Sequence, residues 1–174
     1  MLNGWLNKAV RDIFISLLAF PISPVIALIS MKGEIPSQFN YWLTHDNDVD
    51  GDSGHWERWP DNGTRWRVFC RRTAWLWRNK GYTYSYEVSG VVPEGDITYK
   101  GTPLFWTKEN PKGWCFAKCD NAWMLFAWFP YSVFGFKKGI RVYLGWKLRY
   151  YCEHPDKPKR EMLVTHINPF KNKI

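Results

Sequence analysis

An acidic segment in the first third of the chain carries the residues best suited to binding a cation. It runs Asp46-Asn47-Asp48-Val49-Asp50-Gly51-Asp52-Ser53-Gly54-His55-Trp56-Glu57 and matches the calcium-loop pattern D-x-[DN]-x-[DN]-G-x5-E. In such a loop the first, third and fifth residues supply carboxylate oxygens, the glycine permits the turn, and the twelfth residue binds through both oxygens. The segment therefore predicts a Ca²⁺ site with ligands drawn from Asp46, Asp48, Asp50, Asp52 and Glu57.

The surrounding residues are not those of an EF-hand, which leaves a second interpretation open. Ser53 stands where an apolar residue is usual, and Pro60 followed by Asp61-Asn62-Gly63 leaves no room for the exiting helix. The alternative is a solvated acidic turn that caps a helix or pairs with the arginines that follow.

No other constellation in the sequence indicates a reaction. The chain contains no nucleophile elbow, phosphate loop or HExxH pattern, and its four histidines are scattered. Its four cysteines lack the density of a cross-linked secreted scaffold, so we expect reduced thiols in a cytosol-facing domain. We expect a protein that is not an enzyme, with no certain cofactor apart from the Ca²⁺ considered above. A cation-dependent enzyme centred on Asp46, Asp50 and Glu57 is the second alternative.

A charge-free apolar segment, Ile13 to Met31, precedes the acidic one and is just long enough to span a bilayer. Pro21 and Pro24 lie at its middle, where proline breaks or kinks a helix. A kinked transmembrane helix, a bent segment that dips into one leaflet, a buried core hairpin and a cleaved signal peptide all remain open. The sequence thus predicts an apolar membrane-associated segment over residues 1–44 and one basic, aromatic-rich domain over residues 45–174. The residues expected to contact the membrane are Ile13, Phe14, Leu17, Leu18, Phe20, Ile22, Val25, Ile26 and Ile29.

Charge and aromatic content narrow the class of partner. The formal net charge is +8, distributed as +1 over Met1 to Thr44, −5 over His45 to Asn62 and +12 over Gly63 to Ile174. Phe, Trp and Tyr make up 18% of the chain, and such residues suit membrane interfaces, partner surfaces and base stacking. A basic body attracts anionic lipid or nucleic acid, so charge names a class of partner only.

The domain itself is predicted to be α+β. A helix over Thr64 to Asn79, stopped by Lys80-Gly81, is followed by residues that alternate with period two and are separated by turns, which indicates an antiparallel sheet of five to seven strands. On the helix we expect a basic-aromatic surface of Arg67, Arg71, Arg72, Trp75 and Arg78. The expected strands are Tyr82–Val88, Leu104–Thr107, Gly113–Lys118, Ala122–Phe129, Ile140–Tyr151 and Glu161–Ile167, with a turn region over Gly90–Gly101.

One stretch of the sheet region, Ala122 to Phe136, is apolar or aromatic almost throughout and ends at Lys137-Lys138. It is too short, and too interrupted by Pro130 and Gly135, to span a membrane. Two interpretations remain: a central buried strand with a loop, or an aromatic loop inserted at a membrane interface with its lysines on the headgroups.

Several motifs in this order resemble a family of uncharacterised tailed-bacteriophage proteins, over nearly the whole chain. They are the apolar N-terminal segment, Asp46-Asn47 with Asp50-Gly51-Asp52-Ser53-Gly54, Trp75-Leu76-Trp77-Arg78-Asn79 with Gly81-Tyr82, Gly145-Trp146-Lys147-Leu148, and Ile167-Asn168-Pro169-Phe170. The resemblance implies a phage origin and membrane association, and no reaction. The family's acidic motif often lacks an acid corresponding to Asp48, which favours the structural turn.

The functional expectation is a non-enzymatic, monotopic or single-pass membrane protein acting at the host envelope. It would be an accessory or exclusion factor, or a minor virion component. Its partners would be membrane lipids and another phage or host envelope protein. It would lie at the host inner membrane with its main domain facing the cytosol, or in the virion. A basic aromatic nucleic-acid-binding protein is the alternative.

Overall fold

The computed structural model describes residues 2–30, 33–42, 49–102, 112–156 and 159–172. These form an α+β fold in two compact units: unit 1 comprises residues 1–9 and 89–174, and unit 2 comprises residues 10–88. Helix α1 begins in unit 1 and continues into unit 2, so this division does not coincide with the boundary expected after residue 44.

Helix α1 spans Leu2–Ile29 as one element and contains both Pro21 and Pro24. Of the alternatives left open by the sequence, a segment broken into two separate half-helices at these prolines is thus not found, whereas one continuous helix is. A proline at position 24 cannot donate the usual backbone hydrogen bond to the carbonyl of Phe20. The indole Nε1 of Trp77 donates to that oxygen instead, at 2.8 Å. A side chain of another helix thus supplies the donor that the proline removes.

The rest of unit 2 is also helical. A 3₁₀ helix spans Ser37–Trp42, α2 spans Ser53–Arg58, α3 spans Arg65–Arg78, and a π-helical turn spans Tyr84–Val88. Helix α3 confirms the predicted helix, because the residues that flank it are Thr64 and Asn79, the predicted bounds. The core of unit 2 consists of Ala19, Ile26, Ala27, Ile35, Val49 and Leu76.

The predicted strand over residues 82–88 is wrong, since this segment is helical. The hydroxyl of Ser85 donates to the carbonyl of Gly81, one helical turn earlier, and also bonds the carboxylate of Asp12 in α1. Thr83 and Ser85 are buried and the tyrosines between and beside them are half-buried, so the burial alternates although the backbone is helical.

Unit 1 is built on a five-stranded antiparallel sheet in the order β1-β2-β3-β4-β5. The strands are β1 Thr98–Gly101, β2 Gly113–Lys118, β3 Trp123–Val133, β4 Phe136–Trp146 and β5 Leu163–Asn172, with helix α4 at Arg149–Glu153. Four of the strands overlap the predicted ones. The first, β1, lies in the predicted turn region, and the strand expected at residues 104–107 lies outside the described residues.

The long strands β3 and β4 pair from Met124 with Gly145 to Val133 with Phe136. On one face of the sheet, Cys115, Phe126 and Trp128 are buried in the main core of the unit. Gly139, the register partner of Pro130, lets the Trp128 ring pack against its backbone, since a Cβ there would come within 2.3 Å of the ring.

A methyl group at Gly139 should therefore destabilise unit 1. Trp128 is 1% exposed and has no free space to move into. We expect Gly139→Ala to lower the free energy of unfolding by roughly 1–3 kcal/mol, as overpacking does, measured by urea titration. Gly4→Ala is the matched control, because nothing lies within 4 Å of a Cβ at that position. It should leave stability equal or raised by up to about 1 kcal/mol. Equal effects of the two substitutions would contradict the packing described here.

Candidate functional site

Large apolar side chains cover one side of α1 and are exposed. Between Val10 and Ile29 each of them is 46% to 70% exposed. Their spacing places most of them on one face of the helix, because positions three and four apart are neighbours on a helix surface. We call this face the apolar stripe, and it consists of Val10, Ile13, Phe14, Leu17, Phe20, Val25, Leu28 and Ile29.

The opposite side of α1 is buried and is mostly small or polar. It consists of Asp12, Ala19, Ser23, Ile26, Ala27 and Ser30. The hydroxyls of Ser23 and Ser30 donate to the backbone carbonyls of Ala19 and Ile26, each at 2.7 Å. A surface helix of a soluble protein buries its apolar side, and α1 has the reverse arrangement.

The predicted membrane-contacting residues divide accordingly. Ile13, Phe14, Leu17, Phe20, Val25 and Ile29 lie on the apolar stripe, and Leu18 and Ile22 are half-buried. Ile26 is fully buried in the core of unit 2, which corrects the prediction for that residue. Val10 and Leu28 belong to the stripe and were missed. Helical spacing counted from Leu17 could have identified both, at minus seven and plus eleven residues.

Helix α3 packs against the buried side of α1 and against the edge of the apolar stripe at Phe20, and it carries charge. The rings of Phe20 and Trp77 stack with centroids 4.7 Å apart and an interplanar angle of 6°. Gly81, just beyond α3, comes so close that a Cβ there would lie 3.1 Å from the hydroxyl of Ser16. Arg65 and Arg67 on the same helix are exposed. One side of α1 is therefore covered by α3, whose exposed arginines must stay solvated.

The acidic segment lies against α3 through Asp50. Its Oδ1 accepts from Arg71 Nη2 at 3.0 Å and from Arg72 Nε at 2.9 Å. Burial acts to raise the pKa of Asp50, but the hydrogen bonds from Arg72 and Arg71 outweigh it and hold that pKa below its ordinary value. Arg72 Nη1 also donates to the carbonyl of Ser30 at the end of α1, at 3.0 Å. The Asp50 carboxylate thus ties the acidic segment to α3, and the guanidinium of Arg72 ties α3 to the residue that follows α1.

Asp52 begins α2 and makes a second ion pair. Its side chain caps the helix by accepting from the backbone N–H of His55. It also contacts the His55 ring at 2.7 Å and Arg78 Nη1 at 2.5 Å. Hydrogen bonding from His55 and Arg78 lowers the pKa of Asp52 to about 2.

The Ca²⁺ site of the acidic segment stays a prediction. Asp50 and Asp52 are engaged by arginines, Glu57 is exposed on α2, and Asp46 and Asp48 lie outside the described residues. Within the described part of the chain, no three His, Cys, Asp or Glu side chains are grouped so that they could hold a metal ion.

The predicted basic-aromatic surface is only partly a surface. Arg71 is 1% exposed, and its guanidinium lies 3.4 Å from the centroid of the Trp56 ring. Arg72 is also largely buried, and Trp75 is half-buried against His55. Arg67 and Arg78 are exposed, and Arg78 is paired with Asp52. This corrects the prediction for Arg71 and Arg72, which serve as internal partners of Asp50.

One titratable residue, Glu161 in unit 1, was not identified from the sequence. It is 5% exposed, and its Oε1 has no hydrogen-bond partner. Its backbone N–H and carbonyl pair with Val91. Burial raises the pKa of Glu161 to about 7, although Lys159 and Lys147 act to lower it. A lone Glu next to an apolar strand carries no sequence signal of such burial.

Comparison with known proteins identifies a family without a described activity. A family model described as a family of unknown function, DUF7338, matches residues 1–174. No curated protein and no solved structure matches the chain.

The paired Asp50 predicts the effect of neutralising it. Asp50→Asn should lower the free energy of unfolding by about 2–4 kcal/mol, because it leaves buried Arg71 without its charge partner. Asp50 titrates below its ordinary pKa of 3.8, so its contribution is present above that pH and is lost as the pH falls through the native value. The acid-induced loss of stability should be shallower in the variant. Glu57→Gln, an exposed neighbour, is the control and should stay within about 0.5 kcal/mol. Similar losses in both variants would contradict the assigned ion pairs.

A Ca²⁺ effect would be measured separately, as a Ca²⁺-dependent rise in melting temperature of the wild type.

Glu161 predicts the opposite dependence on pH. Its native pKa of about 7 lies above its ordinary 4.5, so the native state holds a proton that the unfolded state releases, and stability falls as the pH rises between these values. Glu161→Gln should remove this slope and raise the free energy of unfolding at pH 8 by up to about 3 kcal/mol. Urea titrations at pH 5 and pH 8 measure it, and a slope unchanged by the substitution would contradict the assignment.

Proposed function

The chain belongs to the DUF7338 family, whose function is unknown, and we propose that it is a non-enzymatic protein that attaches to a membrane through the apolar stripe of α1. The observation that carries the proposal is the reversed arrangement of this helix, with most large apolar side chains outside and, apart from Ile26, small or polar ones fully buried inside. A contiguous apolar surface of this kind on a soluble protein marks an interaction site or a membrane contact.

The size of the stripe supports a lipid contact. Complete burial of a Val, Leu, Ile or Phe side chain contributes roughly 1.5–3 kcal/mol, so eight half-exposed side chains entering lipid would contribute roughly 6–12 kcal/mol. By length and composition α1 could cross a membrane. Only 28% of its most apolar window is buried, whereas the core helix of a soluble protein would be mostly buried, so the low burial favours contact with lipid.

The packing of α1 favours an interfacial position over a transmembrane one. A helix that crosses a bilayer alone meets lipid on every side, but one side of α1 contacts α3 through Trp77 and the turn at Gly81. Exposed arginines on α3 would be costly at the bilayer centre. A helix lying in the plane of the interface buries its apolar face in the lipid and leaves its other face on the water side. In this position α3 and its arginines would stay outside the hydrocarbon.

The setting that we propose is the inner membrane of a bacteriophage's host, with the basic body on the cytosolic side. The resemblance of the sequence motifs to tailed-phage proteins supports the phage origin. The net charge of +8 suits the anionic cytosolic leaflet. There the protein would act as an accessory or exclusion factor, or enter the virion as a minor component, together with another phage or host envelope protein. The nucleic-acid alternative has less support, because Asp50 and Asp52 engage Arg71, Arg72 and Arg78.

Replacing stripe residues by polar ones should release the protein from vesicles without unfolding it. Val10, Leu17 and Leu28 are 59%, 66% and 70% exposed. The triple variant Val10→Gln, Leu17→Gln, Leu28→Gln should therefore keep the wild-type circular dichroism spectrum and lose at least about 100-fold in vesicle partitioning. Deleting the helix would be a poorer test, since Ala19 and Ile26 belong to the core of unit 2.

The control variant is Val88→Gln with Val92→Gln, which alters exposed apolar residues outside α1 and should partition as the wild type does. Association of the wild type should persist at about 1 M salt, where charge attraction is screened within about 3 Å. An intact chain that is monodisperse without detergent and stays free of vesicles would overturn the proposal.

A further inference from the structure

We propose that unit 1 carries a second lipid-binding element, the hairpin tip, defined as Val133, Phe134, Gly135 and Phe136, and that adjacent lysines make it selective for anionic lipid. This inference rests on the proposed function, because it assumes that the protein meets a membrane. It adds a separate contact and a class of lipid that the apolar stripe does not specify.

The tip is the turn between β3 and β4, and its apolar side chains face solvent. Phe134 is 95% exposed, Phe136 is 68% exposed and Val133 is 47% exposed. Val133 and Phe136 are register partners, and directly paired residues share a face of an antiparallel sheet. Further along the same face, beyond the pair Tyr131 with Lys138, the pair Phe129 with Ile140 is also exposed.

Phe134 sits in a backbone conformation that its side chain does not favour. Its φ is +51°, and it is the one described non-glycine residue with a positive φ. Asn or Gly adopt this conformation at lower cost. A phenyl ring that packs on nothing contributes no folding energy to offset this cost. Both facts fit a ring retained for a contact outside the chain.

The neighbouring strand β5 extends the apolar surface and fixes the tip. Phe170 and Ile167 are 72% and 65% exposed. The hydroxyl of Tyr131, on the outward side of β3, donates to the carbonyl of Pro169 at 2.7 Å. This bond joins β3 to β5 across β4, so the exposed aromatic side chains of both strands are presented together.

Charge around the tip is positive only. No acidic residue occurs from position 121 to position 152 or from position 162 to position 174. Lys137 follows the tip directly, and Lys171 pairs with Gly139 one step along the hairpin. The distal part of the sheet therefore combines apolar rings with basic side chains and has no negative charge.

This combination favours a lipid surface over a protein partner. The buried core of a protein interface is depleted in lysine. At a membrane, aromatic rings sit at the headgroup level and lysines attract anionic phosphate, each by about 1 kcal/mol near the surface. The occupant that we infer is a bilayer containing anionic phospholipid.

Hydrogen exchange of the full chain on vesicles tests the inference at the level of the tip. One set of vesicles is phosphatidylcholine, and the other adds phosphatidylglycerol. We expect peptides covering residues 129–140 to gain protection on the anionic vesicles beyond that of the paired strands, and to exchange on the neutral vesicles as they do in solution. Peptides from α1 should be protected on both, because apolar burial does not depend on headgroup charge.

Two variants test the residues. The double variant Phe134→Asn with Phe136→Thr removes both rings. Asn tolerates the positive φ at position 134 and Thr is common in strands, so the hairpin should persist and the additional protection of residues 129–140 on anionic vesicles should be lost. Lys137→Gln with Lys171→Gln should lower partitioning onto anionic vesicles by roughly five-fold per lysine and leave neutral vesicles unaffected. Tyr99→Thr is the matched control, because Tyr99 is an exposed aromatic residue on β1 of the same sheet. It should change neither the exchange of residues 129–140 nor the partitioning onto vesicles.

The outcomes separate this inference from the proposed function. Protection of α1 without protection of the tip on anionic vesicles would overturn the second contact and leave the first in place. Protection of the tip without α1 would support the second contact and contradict the role of the stripe. Tip protection by a soluble protein, and by neither vesicle, would identify a protein interface and overturn the inference.

Discussion

The structure of unit 2 depends on how the buried side of α1 packs and on which groups form hydrogen bonds with it. That side carries Asp12, Ser16 and Ser23 along with Ala19, Ala27 and the larger Ile26, so most of its side chains are small or polar and add little apolar burial. Helix α3 therefore fits against it through specific contacts, with Trp77 bonding the carbonyl that Pro24 leaves free and Gly81 approaching Ser16. Apart from Ile26, the large apolar side chains of α1 are exposed or half-buried rather than enclosed on that side. The outward stripe is thus a consequence of a polar, closely packed interior.

The same logic explains the acidic segment. Helix α3 brings Arg71 and Arg72 toward the core, where unpaired guanidinium groups would be costly. Asp50 pairs with both, and Arg72 extends the link to the last turn of α1 through the carbonyl of Ser30. Asp52 adds a cap for α2 and a pair with Arg78. A pattern that resembles an ion-binding loop therefore has a structural use in holding three helices together.

Much of the fold was predictable because it rests on periodicity. The helix at residues 64–79 and the strands β2 to β5 follow from spacing, caps and turn residues. Residues 82–88 were mispredicted because the contact of Ser85 with Asp12 joins residues 73 positions apart, and sequence spacing carries no information on it. The sequence left open whether α1 is continuous for a similar reason, since the donor that replaces the proline lies on α3. For the site, the apolar character of residues 13–29 was evident, but the division into outward Leu17 and inward Ile26 depends on what packs against the helix.

Lipid contact along one side of α1 is the central claim, and site-specific photo-crosslinking in vesicles tests it most directly. A photo-reactive phenylalanine analogue would replace Leu17, which is exposed on the stripe, or Phe69, which packs against the core of the same unit. The account predicts phospholipid adducts from position 17 and adducts within the chain from position 69. Adducts from position 17 to protein alone, in a sample that co-floats with vesicles, would contradict it.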